Sequence, residues 1–145
     1  MLQRNCKRLK VLKVILDLPP TELSPNKRVH WARKAKEVKK YRQHACDAAQ
    51  EAAFAQDCKE PFRTPVVQIT YWNRRNVKPD GDNILASLKS AWDGLTDSGV
   101  WNDDRFCFFF PVRRCCDKKN PRVEITITEK LPDNCNEILD DLMRE

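Results

Sequence analysis

The sequence predicts a compact two-layer α/β domain of the α+β kind, with elements in the order β-α-β-α-β-β. Three observations carry the prediction. Apolar, β-branched runs stand at residues 11–18 and 122–129, the second alternating cleanly. Helical stripes at about 29–55 and 82–96 are interleaved with strand-like runs, a pattern that packs as helices on a sheet. The 145 residues suffice for one domain, 1–145, with a self-sufficient core.

Each element has a local cause. Residues 11–18 form a first strand that Pro19-Pro20 stops. Ser24-Pro25-Asn26 marks the approach to a helix. In that helix Trp31, Ala35, Val38, Ala45, Ala49 and Ala52 recur at spacings of three, four or seven and define an apolar face. Trp31 also lies beside basic residues that suit DNA, but the stripe assigns it to the core. Residues 64–72 are a second strand, followed by a polar loop carrying Arg74, Arg75 and Lys78. The helix at 82–96 buries Ile84, Leu88, Ala91 and Leu95, widened by Leu85 and Trp92, and ends toward Ser98-Gly99. The run 106–112 reads as a buried or partly buried third strand, 117–121 as a turn, and 122–129 as a fourth strand with one wet face. A basic leader (about 1–10) and an acidic tail (about 130–145) flank these elements, and the tail carries a possible terminal helix.

Composition narrows the function. With 27 Lys+Arg against 21 Asp+Glu the chain carries a net charge of +6, which favours polyanionic partners. No apolar run approaches the roughly 18 residues a membrane span requires, so no membrane partner is expected. The N-terminal stretch does not read as a signal peptide, and a cytoplasmic location is the expectation. The seven cysteines are odd in number and lack Cys-x-x-Cys spacing, so they read as reduced thiols.

Against this basic background six aspartates gather in one short stretch: Asp80, Asp82, Asp93, Asp97, Asp103 and Asp104. Close carboxylates repel one another unless protonated or bridged by cations. Hard cations such as Mg²⁺ take oxygen ligands and share them with phosphates. Asp80 and Asp82 flank Gly81, whose lack of a side chain leaves room beside them. Asp82, Ala86, Lys89 and Asp93 share one helical line, placing a lysine between two acids where it could neutralise phosphate charge. Asp97 reads as a turn residue. These observations point to magnesium-dependent phosphodiester chemistry on nucleic acid. The competing reading is that the same acids cap helices, pair with Lys89 and fill a polar turn. Asn26, Lys27, Arg28, Arg74, Arg75 and Lys78 are the candidate DNA-binding residues, joined by the basic face of the first helix. His30 and His44 read as structural groups or phosphate contacts.

The stretch Asp80-Gly81-Asp82-Asn83, the helix through Lys89 and Asp93-Gly94-Leu95, and Gly99-Val100-Trp101-Asn102-Asp103-Asp104 together resemble the RusA family of Holliday junction resolvases. Leu18-Pro19-Pro20, Ser24-Pro25-Asn26 and His30-Trp31 resemble its phage and prophage members, and the resemblance runs from about residue 14 to 129. It implies a RusA-like fold and a homodimeric, Mg²⁺-dependent endonuclease, with Mn²⁺ as a substitute, that makes paired symmetric nicks across four-way junction DNA in recombination and repair. It implies Asp80, Asp82 and Asp104 as catalytic metal ligands, Asp103 as their neighbour, and Lys89 as the essential lysine. The lysine departs in spacing: the best-known member carries it four residues after the second acid, where this chain has Ala86. Two other functions remain open on the residues: a DNA-binding module without catalysis, and a nuclease acting more broadly on branched DNA.

Overall fold

The structure, a computed structural model, describes residues 10–77 and 79–130. The leader up to residue 9, Lys78, and the acidic tail with its expected terminal helix lie outside the described residues. The expected order of elements is present, with two of them divided. Strand β1 (Val11–Leu16) leads to helix α1 (Trp31–Ala55) and strand β2 (Pro65–Asn73). Helices α2 (Gly81–Ser87) and α3 (Lys89–Ser98), strands β3 (Phe108–Phe109) and β4 (Arg113–Cys116), and strand β5 (Arg122–Glu129) follow.

The strands form one mixed sheet in the order β1-β5-β2-β3, with β4 also on β2. Strand β5 is antiparallel to β1 and to β2, while β3 and β4 run parallel to β2. Alternation decides which side faces the helices. Leu12, Val14 and Leu16 of β1, Val67 and Ile69 of β2, and Val123, Ile125 and Ile127 of β5 are buried. Each such side chain contributes about 1.5–3 kcal/mol when fully buried. The other face is wet, as expected for β5: Glu124 lies 3.5 Å from Lys13 and 2.9 Å from Arg122.

The helix expected at 82–96 is two helices joined at Leu88, whose φ and ψ of −94° and 0° tighten one turn. The hydrogen-bond ladder continues through the joint, since Leu88 N–H donates to Ile84 and Leu88 C=O accepts from Trp92. The expected stripe therefore survives: Ile84, Leu88, Ala91, Trp92 and Leu95 are all buried. Helix α3 ends at Gly99, which adopts the left-handed conformation (φ 84°) that glycine accepts without strain. Helix α1 crosses α3 at Gly94, where a Cβ would collide with the Arg42 carbonyl oxygen and the Ala45 Cβ.

Two expectations are corrected. Trp31 is not in the core but 75% exposed, and Ala35 is exposed too. The first turns of α1 overhang the sheet, and its buried residues begin at Tyr41. The run 106–112 is not one strand, and within it only Cys107 and Val112 are partly buried against the core. Only Phe108 and Phe109 pair with β2, Pro111 has no N–H to continue the ladder, and Phe106, Phe108, Phe109 and Phe110 are all exposed. Cations cover part of this strip, with Lys130 over the Phe108 ring and Arg105 over the Phe106 ring. Pairing resumes as β4, in register from Thr70 with Arg113 to Asn73 with Cys116.

Among the described residues the cysteines are free thiols: Cys46, Cys58, Cys107, Cys115 and Cys116. No described helix is long and apolar enough to cross a membrane.

Candidate active site

The acids are held in place by buried neighbours. Asp80 caps α2, its Oδ1 accepting from the Asp82 N–H at 2.9 Å. Ile84, one turn on, anchors this end of the helix in the core. Asp82 occupies the first turn of α2 with its side chain in solvent. At the other end, the segment after Gly99 runs inward. Val100 and Trp101 are buried, Phe62 N–H donates to the Val100 carbonyl at 2.8 Å, and the Trp101 indole N–H donates to Thr96 Oγ1 at 2.7 Å. That anchoring turns the chain back beside α3 and delivers Asp103 and Asp104.

Lys89 is the meeting point. Its Nζ lies 2.9 Å from Asp104 Oδ2 and 3.4 Å from Asp93 Oδ1. The hydrogen bond from Lys89 holds the Asp104 carboxyl below its ordinary range, and the same bond raises the Lys89 ammonium above its own. Both groups are charged at neutral pH. Asp103 caps the short turn Asp104–Phe106 through the Arg105 N–H and lies 3.2 Å from Arg105 Nε. Burial pushes the Cys107 thiol up to about 12, so it offers no nucleophile beside these acids.

The structure therefore brings Asp93, Lys89 and Asp104 together, with Asp103 adjacent. Asp82 and Asp80 stand at the far end of α2, about 10 Å and about 14 Å along the helix axis from Lys89. Among the described residues no three His, Cys, Asp or Glu side chains form a group that could hold a metal ion within this one chain. The donor chemistry nevertheless fits magnesium. That ion is usually held by one or two carboxylates, with water and substrate phosphate completing its shell. Asp97 does not join the site. It accepts two hydrogen bonds from Arg42, at 2.6 and 2.8 Å, and braces α3 against α1. Its partner is 55 positions away, and nothing local in the sequence announces the pair.

Asn26 and Lys27 line a groove of about 620 Å³ together with Pro20, Thr21, Asp80 and Asn83. The prolines after β1 and the acidic stretch thus share one surface. Lys27 Nζ donates to Thr21 Oγ1 at 3.0 Å. Arg28, Arg74 and Arg75 are exposed, and Lys78 lies outside the described residues. Along α1, Arg33 pairs with Glu22, Lys40 with Glu37 and Arg42 with Asp97, while Lys34, Lys36 and Lys39 make no ion pair among the described residues. His30 caps α1 by accepting from Ala32 N–H, and His44 accepts from Asp17 N–H, which gives both histidines structural contacts.

Sequence reasoning missed Arg113 and Arg114. Pairing of β4 with β2 places them beside Thr70 and Tyr71, on the strand that leads into Arg74 and Arg75. Arg114 Nη1 donates to the Pro79 carbonyl at 3.2 Å, immediately before Asp80. The available signal was the Arg-Arg doublet after Pro111, which suits a solvent-facing edge strand.

Residues 18–128 match the model of a family of DNA-cutting enzymes, endodeoxyribonuclease RusA. The chain belongs to that RusA family. It is 35% identical over 96 residues to an uncharacterized protein of Xylella fastidiosa (strain Temecula1 / ATCC 700964), an alignment that covers 63% of this chain and 60% of that relative. The chain therefore matches less than two thirds of the relative's length.

Proposed function

We propose that this protein is a metal-dependent endodeoxyribonuclease that resolves four-way DNA junctions by paired symmetric nicks, acting as a homodimer in recombination and repair. The observation that carries the reading is Lys89 set between Asp104 and Asp93, on the helical pair that begins at Asp80 and Asp82, in a chain of the RusA family.

Asp80, Asp82 and Asp104, with Asp103 next to Asp104, are the residues that would hold Mg²⁺, or Mn²⁺ in its place. Bound there, the ion would supply Lewis-acid polarisation of the scissile phosphate and a more acidic water. Lys89 keeps a fixed positive charge beside Asp104 and can transfer part of its hydrogen bonding to a phosphate oxygen as negative charge builds up. Asn26 and Lys27, which line the same groove as Asp80, orient the same strand. Arg28, Arg74, Arg75 and Lys78 extend the phosphate contacts, which position DNA without reading its sequence. The two-fold symmetry of a junction gives a reason for two equivalent sites.

The test is a cleavage assay on a synthetic four-way junction, a flap and a linear duplex, with and without Mg²⁺. Junction cleavage that needs Mg²⁺ is expected, and Asp82→Asn is expected to abolish it while junction binding persists. Binding with no cleavage under any metal would mean a DNA-binding module. Equal cutting of flap and junction would mean a broader branched-DNA nuclease. Cleavage by Asp82→Asn at the wild-type rate would remove that acid from the site.

A further inference from the structure

Trp31 is a large aromatic side chain at the first position of α1, and it is 75% exposed. The other three tryptophans behave differently: Trp92 and Trp101 are buried and Trp72 is half-buried. The segment that carries Trp31 is tied down. Leu23 of the preceding turn is buried, Arg33 pairs with Glu22 at 3.1 Å, Lys27 bonds to Thr21, and His30 caps the helix. The indole is therefore presented from an ordered base, with the His30 ring 5.7 Å away. Its sequence neighbours Lys27, Arg28 and Lys34 are basic and exposed. Lys27 lines the groove that contains Asp80 and stands four residues from Trp31, so the two Cα atoms are at most about 14 Å apart.

The opposite end of α1 makes the contrast. Phe54 is 91% exposed there, but its sequence neighbours include Glu51 and Asp57. An acidic surround disfavours nucleic acid, whereas a basic surround around an exposed indole is the pattern of a base-stacking platform.

We propose that the Trp31 indole stacks on an unpaired or unstacked nucleobase of branched DNA while Lys27, Arg28 and Lys34 hold the flanking phosphates. A base is free to stack in this way where strands part and not within an intact duplex. The contact therefore selects branched over linear DNA. This inference rests on the reading of the protein as acting on branched DNA.

The experiment uses tryptophan fluorescence of the full chain without divalent metal, titrated with a synthetic four-way junction and with a linear duplex of equal length. Junction is expected to quench emission and to shield it from acrylamide, and both effects are expected to vanish in Trp31→Phe, which keeps an aromatic ring but removes the reporter. Trp31→Ala is expected to weaken junction binding by about one to two orders of magnitude, with duplex binding changed less than about threefold. Equal weakening of junction and duplex would overturn the proposal, as would unchanged junction affinity in Trp31→Ala. Shielding of Trp31 by rising protein concentration without DNA would assign the surface to a second copy of the chain and also overturn it. Circular dichroism of Trp31→Ala checks that the fold persists. Quenching by junction in a protein that cuts nothing with Mg²⁺ would leave the stacking contact standing and remove the nuclease reading. Mg²⁺-dependent junction cleavage with unaltered preference in Trp31→Ala would do the reverse.

Discussion

At the scale of single residues, the chemistry of the site centres on Lys89, whose ammonium is shared between Asp104 and Asp93. The side chain is 64% exposed, so these ion pairs contribute at most about 1 kcal/mol to stability. In the proposed function its value is a positive charge held ready for a phosphate oxygen. Lys89→Ala is expected to lower single-turnover junction cleavage by about 100-fold while changing junction binding only a few-fold. An equal loss in both measurements would make Lys89 an ordinary phosphate contact. Of the six aspartates, the sequence reveals the shared line of Lys89 and Asp93 but not the return of the chain to Lys89. That return depends on Trp101 and Val100 being buried against Phe62 and Thr96, contacts that no local pattern predicts.

At the scale of elements, the contact between α1 and α3 needs both a glycine and an ion pair. Glycine in a helix interior costs about 1 kcal/mol relative to alanine, yet Gly94→Ala is expected to destabilise, because the added methyl would strike Arg42 and Ala45. Overpacking of this kind costs about 1–3 kcal/mol, and urea unfolding measures the net loss. The Arg42–Asp97 pair adds a pH signature. Arg42 holds the Asp97 carboxyl below its ordinary 3.8. A carboxyl with a depressed folded-state pKa stabilises the fold above its unfolded value, and that contribution fades as pH falls through the folded one. The melting temperature of Asp97→Asn is therefore expected to lie below wild type at neutral pH and to converge with it well below pH 3.8. A constant gap would exclude the ion pair as its cause. The elements themselves were largely legible: β1 and β5 alternate, and the stripe from Ile84 to Leu95 is the buried one. The failures share a cause. Trp31 and Phe108–Phe110 carry the right residue types for burial, but they fall where α1 overhangs the sheet and where the sheet ends, and a periodic pattern does not say how far the opposing layer extends.

At the scale of the whole molecule, the chain carries a charge of +6, and some of its basic groups lie near the acids. Asn26 and Lys27 line the same groove as Asp80, and Arg113 and Arg114 stand on the strand beside β2. Junction affinity is expected to fall steeply with salt, and Arg75→Ala and Arg113→Ala are each expected to reduce the slope of log K against log salt by about one. A slope that does not move would place that arginine off the DNA path. Sedimentation equilibrium is expected to give twice the 17.0 kDa chain mass; a monomer at micromolar concentration would separate paired nicking from a stable dimer. The single-residue joint at Leu88 has a consequence for such a particle. It joins two short helices, one beginning at Asp80 and Asp82 and the other opening with Lys89 and carrying Asp93 one turn on. The backbone ladder runs unbroken through that buried leucine, so the separation between the carboxylates at the start of α2 and the ammonium at the start of α3 is set by helix geometry and not by a loop.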